Sequence, residues 1–167
     1  CQRWRLWKGC SATTPVIKMP KLSGKTALDW HVDGRLCVPA LVGKLACFLQ
    51  ELAAHNVYNT DVKLENMQCT DDGQLVLLDW GSLCAAGDIP TFTYSVAGHS
   101  NDPATAQSIN VICTLIELYE RVVPQSAKIY PKQYAGLRDR ALNHIKDDGV
   151  RRVYEQLLQP ASLFVAK

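Results

Sequence analysis

Charge of one sign, long apolar runs and paired cysteines are all scarce in this chain of 167 residues. Eighteen Lys and Arg stand against 16 Asp and Glu, a net charge of +2, and the basic residues are scattered without a dense block. That argues against nucleic acid and against an anionic membrane as partners. No apolar run approaches the roughly 18 residues a spanning helix needs. The opening Cys1-Gln2-Arg3-Trp4-Arg5 lacks the apolar core of a signal peptide, so an intracellular protein is expected. Seven cysteines, Cys1, Cys10, Cys37, Cys47, Cys69, Cys84 and Cys113, include no C-x-x-C pair. Neither zinc nor a disulfide framework is indicated, and small buried hydrophobes are the expected role. There is no internal repeat, low-complexity tract or interdomain linker, which predicts one domain.

What is present suits a folded core. Hydrophobic residues make up 47% and charged residues 20%, ordinary for a globular chain of this length. Gln2 to Trp7 alternate apolar and polar as a half-buried strand would, and Thr13 to Met19 is a candidate antiparallel partner. Ser23-Gly24-Lys25 reads as a chain break, and Thr26 to His31 as a short helix. Pro39 opens a long helix whose Val38, Leu41, Val42, Leu45, Phe48, Leu49 and Leu52 form one apolar stripe. Met67-Gln68-Cys69 and Gln74 to Leu78 read as two strands around Thr70-Asp71-Asp72-Gly73, whose Asp-Gly pair suits positive φ. Asp102-Pro103 supplies a cap and first-turn proline for a helix apolar on most faces through Ile109, Val111, Ile112, Leu115, Ile116 and Leu118. Helices are further predicted over Gln133 to Lys146 and Val150 to Leu158.

The chemistry concentrates in one stretch. Tyr58-Asn59-Thr60-Asp61-Val62-Lys63-Leu64-Glu65-Asn66 carries D-x-K-x-x-N, and after the predicted hairpin comes Asp79-Trp80-Gly81, the two aspartates lying 18 residues apart. An aspartate, a lysine and an amide from one loop, joined by a second aspartate from the next, suit a nucleotide phosphate, its Mg²⁺ and an attacking hydroxyl. The arrangement resembles the catalytic loop, H-R-D-x-K-x-x-N, and the metal-binding D-F-G of eukaryotic-type protein kinases. His55-Asn56-Val57-Tyr58 stands where that family carries a short H-G-[IV]-[VIL] run leading out of a long helix. D-V-K-L-E-N is also similar to the loop of divergent kinases of large DNA viruses.

The resemblance covers roughly residues 13 to 158 and implies an α+β, mainly helical fold. It divides the chain into a small-lobe strand remnant at 1–19, a hinge at 20–25 and a large lobe at 26–167. Val16-Ile17-Lys18 invites comparison with the V-A-I-K strand, but Lys18 lies only 43 residues before Asp61, which is hinge spacing. The backbone of Lys18, Met19 and Lys21 would then meet the adenine edge of ATP. Asp61 would be the base that orients a substrate hydroxyl, and Lys63 would neutralise charge on the γ-phosphoryl. Asn66 and Asp79 would bind the nucleotide through Mg²⁺. Glu65 is expected in a structural ion pair. The ordinary alternative for each of these residues is a loop cap, and His31, His55, His99 and His144 are expected to pack or lie at the surface.

Departures from the family's pattern set the alternatives. The Gly-rich loop, the strand lysine and its glutamate partner have no counterparts ahead of Asp61, so the chain is either a minimal form of the fold or a piece of a longer protein. Asn59-Thr60 replaces His-Arg, which removes the guanidinium that would hold a phosphorylated segment and argues against Thr91, Thr93 or Tyr94 as an on-switch. Trp80 replaces Phe and is expected to pack beneath a small lobe. No A-P-E follows, and Gln107 stands where an aspartate usually holds the loop's backbone. One function implied is a divergent serine/threonine kinase acting on a protein substrate. The alternative is a pseudokinase or kinase-lobe mimic that binds a cellular kinase or its partner. A small-molecule phosphotransferase is a third.

Overall fold

The computed structural model describes residues 22–70, 74–88, 102–122 and 131–159. Their architecture is mixed α and β, mostly helical, with two small antiparallel sheets. The predicted strands at 2–7 and 13–19 and the remnant at 1–19 lie outside the described residues.

Strand β1, Lys25–Thr26, leads directly into helix α1, Ala27–Val32. Thr26 starts the helix with a capping box: its hydroxyl accepts from the Asp29 N–H at 3.1 Å, and the Asp29 carboxylate accepts from the Thr26 N–H at 3.2 Å. This hydroxyl also donates to Asp29, and the two bonds hold the Asp29 carboxyl below its usual range. The expected break at 23–25 is therefore corrected, because Lys25 and Thr26 pair with Cys69 and Gln68. Gly24 makes this possible. It sits at φ 95°, and a Cβ there would lie 2.2 Å from the Cys69 carbonyl oxygen.

Helix α2, Val38–Ala54, has Pro39 in its first turn, where a missing N–H costs nothing. Its predicted stripe faces inward: Leu41, Val42, Leu45 and Leu49 are buried, with Val38 and Phe48 packed at the margin. Strand β2, Val57–Asn59, follows after Asn56 turns the chain at φ 55°. Strands β3, Met67–Cys69, and β4, Leu75–Leu77, form the expected hairpin, with Met67 opposite Leu77 and Cys69 opposite Leu75. Its turn residues 71–73 lie outside the described residues. Strand β5, Leu83–Ala85, was not anticipated. It pairs antiparallel with β2, Val57 opposite Ala85 and Asn59 opposite Leu83.

Helix α3, Pro103–Glu120, is capped by Asp102, whose carboxylate accepts from the Thr105 N–H at 2.9 Å. It is buried on nearly every side, as its apolar sequence predicts. Helix α4, Pro131–Asn143, packs against α3, and helix α5, Asp148–Leu157, packs against α2 and α4. Helix α4 ends three residues before the predicted Lys146, and Asp147 starts the next helix by accepting from the Val150 N–H at 2.9 Å. Two buried tyrosines tie these helices inward. Tyr154 donates to the Val42 carbonyl and Tyr134 to the Leu158 carbonyl, each at 2.9 Å. Among the described residues, no helix is long and apolar enough to cross a membrane.

Candidate functional site

Leu41, Leu45 and Leu49 of α2 and Ile109, Ile112 and Ile116 of α3 belong to one core, and the loop carrying Asp61 emerges beside them. Val62 and Leu64 alternate with the polar residues of that loop and are 2% and 0% exposed. Burying these two apolar side chains, each worth roughly 1.5–3 kcal/mol, pins the loop between their anchor points.

Three polar side chains on α3 then satisfy the loop's buried backbone. The Gln107 Oε1 atom accepts from the Asn59 N–H at 2.8 Å, Asn110 Nδ2 donates to the Thr60 carbonyl at 2.5 Å, and Thr114 Oγ1 donates to the Val62 carbonyl at 2.9 Å. Gln107, a departure from the family's aspartate, thus still grips the loop as a neutral acceptor. Asn110 and Thr114 were missed in the sequence. Their signal was there: 107, 110 and 114 follow helical spacing, a polar stripe on an otherwise apolar helix.

The chemical groups gather at the loop's end. Asp61 is 8% exposed, and its Oδ2 accepts from Lys63 Nζ and from Asn66 Nδ2, both at 2.7 Å. Asn66 also donates to the Asp61 carbonyl at 3.1 Å. The other carboxylate oxygen, Oδ1, is buried without a hydrogen-bond partner. A buried carboxylate oxygen without a partner is costly. The short 3₁₀ turn Leu64–Asn66 places Asn66 at the base of the hairpin, where its carbonyl accepts from the Leu78 N–H at 2.7 Å. Asp79 is the next residue, so the hairpin brings Asn66 and Asp79 to the same end.

Asp79 adopts the left-handed conformation, φ 53° and ψ 72°, one of the few non-glycine types that tolerate it. Its Oδ1 accepts from the Gly81 N–H at 3.2 Å, capping the 3₁₀ turn Trp80–Ser82, and the residue is exposed. Trp80 is 40% exposed and packs edge-on against Phe48 of α2, with ring centroids 6.2 Å apart. Its expected packing beneath a small lobe falls on residues outside those described. Side-chain oxygens such as those of Asn66 and Asp79 are of the kind that hard divalent cations take. Among the described residues, no cluster of three or more His, Cys, Asp or Glu forms a metal cage.

Glu65 forms no ion pair among the described residues. Burial, with the Glu65 charge adding to it, instead pushes the Glu117 carboxyl up from its usual range. Burial likewise raises the Cys113 thiol to about 11, and Cys69 in the same direction. Cys37 and Cys47 are exposed, contrary to the buried role expected of most cysteines. His31 is buried, whereas His144 accepts or donates at 2.8 Å with Glu120 and stacks on Tyr119. His55 is exposed at the end of α2. Lys18, Met19 and Lys21, and likewise His99 and the segment 89–101, lie outside the described residues.

No protein-family profile matches the chain, and no curated protein matches it. Among solved structures it is similar to a Toxoplasma protein described as a divergent kinase lacking the glycine-rich loop that regulates membrane ultrastructure of the parasitophorous vacuole. The identity is 18% and the TM-score 0.45, over 86% of this chain and 48% of that one. The chain therefore spans about half the length of that structure.

Proposed function

We propose that this chain carries the large lobe of a divergent serine/threonine protein kinase and transfers the γ-phosphoryl group of ATP to a protein hydroxyl. The observation that carries this reading is the Asp61 carboxylate, gripped by Lys63 and Asn66 on one oxygen and unpartnered on the other, at the hairpin end that also bears Asp79. Asp61 would accept the proton of the substrate hydroxyl and hold that oxygen toward the phosphorus. Lys63 would turn its ammonium to the transferring phosphoryl. Asn66 and Asp79 would hold Mg²⁺, which fits because a metal of this kind takes oxygen ligands and commonly only one or two carboxylates from the protein. When bound, Mg²⁺ neutralises the charge of the phosphates. The remaining work is positioning, and a buried loop held at three backbone points suits it. The backbone of Lys18, Met19 and Lys21 would meet the adenine edge inside the cell.

A second reading is favoured by the occupancy of Asp61. One of its oxygens is filled by two donors and the other is buried, so a substrate hydroxyl has no open approach in this conformation. A pseudokinase or lobe mimic, binding a cellular kinase or its partner without transfer, needs no such approach. A thermal-shift titration with ATP, with and without Mg²⁺, separates the two when repeated on Asp79→Ala. The catalytic reading expects a metal-dependent rise in Tm that the substitution abolishes, together with phosphate transfer lost in Asp61→Asn. Absence of any shift in the unaltered protein favours the mimic.

A further inference from the structure

The base loop and the metal turn meet at one buried residue, Ser82, which is 5% exposed. Its backbone carbonyl accepts twice from Thr60, from the N–H at 3.1 Å and from the hydroxyl at 3.0 Å. Its own hydroxyl lies 3.2 Å from Asn59 Oδ1 and 3.2 Å from the Asp79 carbonyl oxygen. Asn59 Oδ1 in turn accepts from the Asp61 N–H at 2.9 Å. A continuous chain of hydrogen bonds therefore runs from the Asp79 backbone through the Ser82 hydroxyl and the Asn59 amide to the backbone of Asp61. A hydroxyl has a single proton, and here it faces two acceptors, so it is shared between the turn and the loop. Asn59, Thr60 and Ser82 are all buried, which strengthens each bond and makes an unmade one costly.

We propose that Ser82 is a positioning residue whose hydroxyl couples the orientation of the Asp79 turn to that of the Asp61 carboxylate. Its functional consequence rests on the phosphotransfer reading above. The strain stored in the left-handed Asp79 gives the coupling something to hold: without the hydroxyl, the Asp79 carbonyl loses its bond to Ser82, while the Gly81 cap and the Thr60 bonds to the Ser82 carbonyl remain. Chain order makes the device economical, since Ser82 lies three residues after Asp79 and immediately before the strand that pairs with Asn59.

The test uses Ser82→Ala, which keeps the carbonyl that Thr60 needs, and Ser82→Cys, which keeps a weak donor of similar size. Without any ligand, amide exchange at Asp61 and at Gly81 is expected to rise together in Ser82→Ala by roughly three- to tenfold, the effect of one net hydrogen bond. Ser82→Cys should fall between that variant and the unaltered protein. In the thermal-shift titration, Ser82→Ala is expected to need roughly three- to tenfold more Mg²⁺ for half the ATP-induced rise in Tm, with metal-free ATP binding unchanged. Exchange that rises at Gly81 alone overturns the coupling, as does an unchanged Mg²⁺ requirement in Ser82→Ala when Asp79→Ala has lost its shift. An unaltered protein that shows no Mg²⁺·ATP shift overturns the phosphotransfer reading and, with it, the catalytic role of Ser82.

Discussion

The loop of Asp61 and the turn of Asp79 are neighbours held by opposite means. The loop is buried, with Val62 and Leu64 in the core and three α3 side chains bonded to its backbone. The turn is exposed at Asp79, Trp80 and Gly81, and it is shaped by its own short-range bonds and by Ser82. One region is part of what keeps the protein folded; the other spends conformational strain to aim a carboxylate outward. Substitutions in the loop should therefore register as stability, and substitutions in the turn as ligand response.

The strongest way to break that contrast is at Gln107. In Gln107→Leu the Asn59 N–H keeps its burial and loses its acceptor, and an orphaned buried donor costs about 1–3 kcal/mol. Urea denaturation should show the midpoint fall with little change in slope. Thr114→Val, which removes one donor to the Val62 carbonyl, should cost about 1 kcal/mol by the same measurement. A Gln107→Leu protein as stable as the original would mean that α3 does not support the loop.

Asp79→Asn sharpens the contrast from the other side. Asparagine tolerates the left-handed conformation and keeps an oxygen for the Gly81 cap, so stability should stay within about 0.5 kcal/mol. The Mg²⁺-dependent ATP shift should nevertheless weaken, because the carboxylate charge is gone. Urea melts and thermal-shift titrations on one preparation read both quantities. Equal losses of stability in Asp79→Asn and Gln107→Leu would erase the distinction.

Much of this division was legible in the sequence, and the parts that were not share a cause. The helices over 38–54 and 103–120 announce themselves through apolar spacing and a first-turn proline, and the hairpin through its Asp-Gly turn. Asp61, Lys63 and Asn66 do come together, as the D-x-K-x-x-N spacing predicts. Strands β1 and β5 were hidden because two or three residues carry no period. Their pairing depends on Gly24 approaching Cys69 and on Leu83 lying opposite Asn59, both long-range facts. No motif in the sequence marks Ser82. Only the packing of that residue against Asn59 and Thr60 gives its hydroxyl a role. Trp80 is a like case, since its aromatic character was readable but its partner Phe48 was not.

The smallest expected effects lie at the far end of α3, where two glutamates one turn apart respond oppositely to pH. Bonds from Arg140 and then from His144 hold Glu120 at about 2, below the ordinary carboxylate range. A depressed folded value means stability that is present above the ordinary range and is lost as pH falls toward about 2. Glu117 runs the other way, because burial and the Glu65 charge raise it. Its ionised form is penalised only in the folded protein, so that penalty is present at neutral pH and is relieved on acidification. Tm measured across the acid range should thus fall less steeply in Glu120→Gln than in the original protein. Glu117→Gln should raise Tm at neutral pH and lose that advantage in acid. Because Glu120 fastens α3 to α4 through Arg140 and His144, its acid release should leave the loop bonds of Gln107, Asn110 and Thr114 intact until the helix itself loosens. Amide exchange at Asn59, followed down the same pH series and corrected for intrinsic exchange rates, distinguishes the two events. Protection that disappears together with the Glu120 transition would mean that the Asp61 loop is held by the whole length of α3 rather than by its three polar side chains.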